Sequence, residues 1–179
     1  MKKLLFLMMA MDAFSMANAH DIKIEVSPEA ETYAYSVGEE DQSISSSTST
    51  STSNGKTSRS ISTTKSYTKG VKSLSDLAVY PLFEKYKRSK NVKMTEIDGR
   101  NLYLSLTVAD NPTIMADIRR KVEIDSKKAY SSVKNYNENG DNISLNLKVD
   151  GSNCVIGFQI NAEGNSGSIY LSYRQPNEE

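Results

Sequence analysis

Residues 142–160 read NISLNLKVDGSNCVIGFQI, and every second position is apolar. Ile143, Leu145, Leu147 and Val149 set the alternation, and Cys154, Ile156, Phe158 and Ile160 resume it after Asp150-Gly151. Side chains of a strand point to opposite faces with a period of two, so this pattern is a half-buried hairpin. A two-residue type I′ turn requires positive φ at both central positions, which Asp and Gly tolerate best. A lone hairpin is marginal in water, so the rest of the chain must cover or extend this sheet.

The same device recurs upstream. Residues 92–97 and 101–108 bracket Asp98-Gly99. In the second run Leu102, Leu104, Leu106 and Val108 face one way, and Tyr103, Ser105 and Thr107 the other. Before it, Leu74, Leu77, Ala78, Leu82 and Tyr86 recur at helical spacing, with Ser73 and Asp76 placed as a capping box. Pro81 removes a helical hydrogen bond, so a kinked or two-part helix ending near Ser89 is expected. Asn111-Pro112 supplies an N-cap and a Pro at N1 for a second helix, whose buried face is Ile114, Ile118 and Val122, with Met115 beside it. Residues 127–137 fit either more helix or a strand turning at Asn139-Gly140, with composition favouring strand. Ile169, Leu171 and Tyr173 mark a last strand. The sum is an α+β two-layer sandwich, an antiparallel sheet of five or six strands with two helices on one face.

The N-terminal part is different material. Residues 1–19 combine Lys2 and Lys3, an apolar run and Ala17-Asn18-Ala19, the organisation of a secretory signal cleaved after Ala19. Export to the periplasm or the cell exterior is therefore expected. The apolar run is too short to span a bilayer, and no cysteine follows it to carry a lipid anchor. Without Lys2, Lys3 and Asp12, the 22 basic and 22 acidic residues become 20 and 21, close to neutral. That balance disfavours a nucleic-acid partner or binding to an anionic membrane. Residues 20–41 hold two short β-prone runs, DIKIEV and TYAYSV. Residues 42–70 are mostly Ser and Thr. They bury too little apolar area to offset chain entropy, which points to a flexible tether or exposed loop. The rival is a polar hairpin around Asn54-Gly55, which lacks an apolar face to set its register. The globular domain is placed at 71–175, with a tail at 176–179.

Phe83-Glu84-Lys85-Tyr86 closing the first helix, a strand at Val92, and Val133-Lys134-Asn135-Tyr136-Asn137-Glu138-Asn139-Gly140-Asp141 followed by hairpin strands resemble a family of small exported bacterial proteins of unknown function. The resemblance covers about 74–174. It implies an exported α+β domain and carries over no active-site residues. The Ser/Thr insert lies outside it.

Few residues carry chemistry. His20 is the single histidine and Cys154 the single cysteine. No internal disulfide is possible, and Cys154 faces the core by alternation, with no base to activate it. No cofactor and no metal site are expected. Glu96 shares a face with Val92 and Met94, so it is either a buried acid or a charge guarding a sheet edge. The other face of the sheet should carry Tyr103, Asn146, Gln159 and Tyr170, a polar surface with tyrosines that suits glycan or protein contacts. The expected function is a non-catalytic exported binding domain for an unknown protein or glycan. The alternatives are a small carboxylate hydrolase centred on Glu96 and a structural protein that assembles through strand edges.

Overall fold

Among the described residues the alternating segments form strands, and they join one sheet. The computed structural model describes residues 44–66, 68 and 70–174. Its elements are β1 (Ile44–Ser53), β2 (Lys56–Lys65), a 3-10 turn (Leu74–Asp76), α1 (Tyr80–Tyr86), β3 (Val92–Ile97), β4 (Asn101–Val108), α2 (Pro112–Ser126), β5 (Ser131–Asn137), β6 (Gly140–Val149), β7 (Ser152–Asn161) and β8 (Gly167–Arg174). The strands run in the order β1-β2-β5-β6-β7-β8-β4-β3, and every neighbouring pair is antiparallel. The leader, the two β-prone runs at 20–41 and the C-terminal tail lie outside the described residues.

The expectation of a five- or six-stranded sandwich is overturned. The sheet has eight strands and 54% of the structure is strand, so the chain is α+β only in the general sense. The surplus comes from the Ser/Thr segment, which was expected to be flexible. It forms β1 and β2, paired over ten positions from Ile44↔Lys65 to Ser53↔Lys56. Asn54 and Gly55 turn with φ of 53° and 74°. β2 then pairs with β5 from Arg59↔Tyr136 to Thr64↔Ser131. Apolar burial did not order this segment. An existing strand edge supplied backbone partners, and β-branched threonine fits a pleated ladder. Hydroxyl pairs add to it, with Ser51 and Ser58 Oγ 2.7 Å apart and Thr52 and Thr57 Oγ1 3.2 Å apart. Lys65 ties the hairpin's base by donating to the Lys127 carbonyl at 2.6 Å.

One face of the central strands makes the core. Leu145, Ile156, Leu171 and Leu104 stand side by side across β6, β7, β8 and β4, and each is at most 4% exposed. Leu82 and Phe83 from α1 and Ile114, Met115, Ile118 and Val122 from α2 join the same cluster. The first helix is indeed split: the 3-10 turn starts with the Ser73 N–H donating to Asp76 Oδ2 at 3.1 Å, and Pro81 sits in the first turn of α1. Asn111 caps α2 by accepting from the Ile114 N–H at 3.1 Å. Residues 131–137 are strand. Asp150 and Gly151 have φ of 47° and 73°, as a type I′ turn requires. The link between β3 and β4 differs from the sequence reading. It spans three residues, Asp98 to Arg100, and Gly99 is not at positive φ.

Candidate functional site

Charge is divided unequally between the two faces. On the helix side, ion pairs tie α2 to its surroundings. Arg119 meets Asp141 of β6 at 2.7 Å, and Lys134 of β5 meets Glu123 at 2.6 Å. Asp117 accepts from Lys85 at 2.8 Å, Tyr86 Oη at 2.7 Å and Arg120 at 2.8 Å. The Lys85 hydrogen bond, then that of Tyr86, holds the Asp117 carboxyl far below the usual carboxylate range. These contacts lock α1 and α2 together.

The buried acid of this protein is Asp125, which is fully buried. Its oxygens accept from the Ala78 and Val79 N–H groups, each at 2.9 Å, and from Lys128 Nζ at 2.9 Å. The carboxylate therefore satisfies the lead-in to α1 from the end of α2. No local pattern in the sequence marks this role, because the amide partners lie more than forty positions away. Glu96 is exposed on β3, the outermost strand. It stands opposite Leu104 and so points to the core side at the sheet margin, where an inward charge opposes edge pairing. Cys154 is 1% exposed. Burial, with a smaller push from Asp125, raises its thiol to about 12, which leaves it protonated at neutral pH. Among the described residues no three His, Cys, Asp or Glu side chains group as a metal site.

The opposite face carries the predicted surface. Three successive rows cross it from β5 to β3. The middle row is Val133, Ser144, Gly157, Tyr170, Ser105 and Thr95. The flanking rows are Ser131, Asn146, Val155, Ser172, Tyr103 and Ile97, and Asn135, Asn142, Gln159, Ser168, Thr107 and Lys93. Only Lys93 among them is charged at neutral pH. Ser47, Ser49, Ser60 and Ser62 extend the rows onto β1 and β2.

Tyr103 and Tyr170 stack here, with ring centroids 6.1 Å apart and planes 23° from parallel. The arrangement depends on Gly157, which the sequence reading passed over. A β-carbon at that position would lie 2.1 Å from Tyr170 Cε1, so only glycine lets the ring settle onto the strand. Beside the ring is a shallow depression of about 120 Å³, lined by Val133, Asn135, Asn142, Ser144, Gly157, Gln159 and Tyr170 among others. Of the four expected residues, Tyr103, Tyr170 and Gln159 thus cluster. Asn146 stands on the same face between Ser131 and Val155, one row away from the depression. The available signal was a glycine inside a strand, between Ile156 and Phe158. A second shallow surface, on the exposed side of α2, is flanked by Arg119, Arg120, Glu123 and Lys127 around Ile124.

Fold and site define the class: an α+β domain with helices on one face of an antiparallel sheet and a mostly uncharged, tyrosine-bearing opposite face. The chain belongs to a family of unknown function, DUF6108, which matches residues 67–177. The match begins after the Ser/Thr hairpin and includes both helices and β3 to β8. No curated protein matches the chain, and no solved structure does. No described helix is long and apolar enough to cross a membrane.

Proposed function

We propose that this chain is an exported bacterial binding domain, non-catalytic, that takes its ligand on the open face of the sheet. The observation that carries the reading is the Tyr103–Tyr170 pair seated on Gly157 beside a shallow polar depression. A mid-strand glycine contributes no packing and weakens a strand, so its use to lay a tyrosine flat on the open face favours a surface role for that ring. Export rests on the leader pattern of residues 1–19, and the mature chain then begins at His20. The sequenced N-terminus of protein recovered outside the cytoplasm tests this directly.

The docking face is tested by placing a diazirine side chain at Gln159 and, separately, at Arg120 on the helix side, in the full chain produced in a cell that exports it. Adducts from position 159 and none from 120 support the reading; equal yields, or none from 159, overturn it.

A second reading, assembly through a strand edge, is favoured by β1. It is an outermost strand of ten residues, all Ile, Ser or Thr. It lacks the charges and prolines that blunt exposed edges. Sedimentation of the full chain over a range of concentrations, with Thr50→Lys as the variant, checks it. A monomer at every concentration removes the reading.

A further inference from the structure

We propose that the open face binds an uncharged polysaccharide chain laid across the strands, with Tyr103 and Tyr170 as its stacking platform. This deepens the binding-domain reading above and rests on it. Three features of the face select the ligand chemistry.

The first is neutrality. Every ion pair around α2 lies on the helix side, while the three rows around Gly157 hold one charge, Lys93, on the outermost strand. Beside Gly157 a phosphate, a sulfate or an acidic peptide would surrender hydration without meeting a counter-charge, because Lys93 stands at the sheet margin and the other cations of this face, Lys148 and Arg174, stand in the row beyond Asn146 and Tyr103. The second is the kind of polar group. Asn135, Asn142 and Gln159 each offer donors and acceptors on one side chain, and Ser144 does the same through its hydroxyl. Sugar hydroxyls also donate and accept, so a carbohydrate can pair with this set in full. A protein partner would use the tyrosines equally well but fits the rest of the set less well, because interface cores are depleted in serine. The third is shape. Tyr170 is 36% exposed and lies flat on the strand, presenting a ring to the C–H face of a pyranose. From Tyr103 on β4 the line passes over Tyr170 on β8, Gly157 on β7 and Asn142 on β6 to Asn135 on β5. At the usual inter-strand spacing that path is about 19 Å long. An open track of that length suits several linked sugars rather than one enclosed monosaccharide.

The test uses the full chain with soluble glucan, mannan, xylan and galactan oligosaccharides, and with polygalacturonate and heparin as anionic controls. Backbone NMR maps the site and calorimetry gives Kd at low and high salt. The expected result is that a neutral oligosaccharide shifts the amides of Tyr103, Gly157, Gln159 and Tyr170, with a Kd that salt leaves unchanged. Tyr170→Ala weakens it by about tenfold and Tyr170→Phe retains it. Spectra of each variant away from the face confirm folding. The proposal is overturned if no neutral oligosaccharide shifts these amides at millimolar concentration, if only the anionic controls bind, or if Tyr170→Ala binds as tightly as the parent. In those cases adducts from position 159 would leave the binding-domain reading standing with another ligand class, and their absence would remove both.

Discussion

The hairpins β1–β2 and β6–β7 have the same backbone design and opposite chemistry. Each joins two ten-residue strands through a turn with both central residues at positive φ, Asn54-Gly55 in one and Asp150-Gly151 in the other. In β6–β7 one face holds Leu145, Leu147, Cys154, Ile156 and Phe158, each at most 1% exposed. In β1 every residue after Ile44 is exposed. The β6–β7 hairpin is held by the core it helps to build. The β1–β2 hairpin is held by a turn, a ladder of backbone hydrogen bonds and its neighbour β5. Apolar patterning therefore identifies strands that make a core and is silent on strands that lean on one.

The largest effect is expected in the apolar hairpin. Leu145→Ala opens a cavity in the core and should cost about 3–4 kcal/mol in chemical denaturation. A cost below about 1 kcal/mol would mean that this hairpin is no better anchored than its polar counterpart.

Asp125→Ala comes next, at about 3 kcal/mol by the same measurement. It strands the Ala78 and Val79 amides and leaves Lys128 without its carboxylate. This loss should propagate to the core strands and spare the β1–β2 amides until global unfolding.

The Asp117 cluster gives a smaller and pH-dependent effect. Its carboxyl is depressed from an ordinary 3.8, so its stabilisation is complete above that value and is lost as pH falls through and below it. Lys85 and Arg120 are largely solvent-exposed, and screening limits the contribution to about 1 kcal/mol or less. Thermal melts of Asp117→Asn should lie below the parent at pH 6 and approach it in acid; parallel curves at all pH values would show that another carboxylate dominates.

The smallest effects belong to the polar hairpin. Thr50→Ala should change global stability by less than about 0.5 kcal/mol. Hydrogen exchange should show β1 opening at a lower free energy than β6 and β7. Equal protection in the two hairpins would erase the distinction between them.

Several local features were legible because their causes are local. Asp150-Gly151, the Asn111 cap with Pro112, the Ser73–Asp76 capping interaction and the burial of Ile114, Ile118 and Val122 follow from residues within one turn or one period of each other. The misread features have distant causes. Asp98-Gly99 was expected to form a two-residue turn, and the register Ile97↔Tyr103 lengthened the link. The hairpin at 44–65 needed the edge of β5, the role of Asp125 needed amides from the start of α1, and the Tyr170 platform needed Gly157 on the adjacent strand.

The sequence by itself thus determined an antiparallel sheet with one apolar face, two helices to cover it, and a polar, tyrosine-bearing set of residues on the alternate positions. Period and turn chemistry act between near neighbours and can be read along the chain. Only the tertiary structure decided that the sheet has eight strands, that the buried acid is Asp125 rather than Glu96, and that Tyr103 stacks on a Tyr170 ring seated on Gly157 beside Gln159. Strand order and register are set by contacts between residues far apart in sequence, where one glycine or one open edge decides which side chains meet.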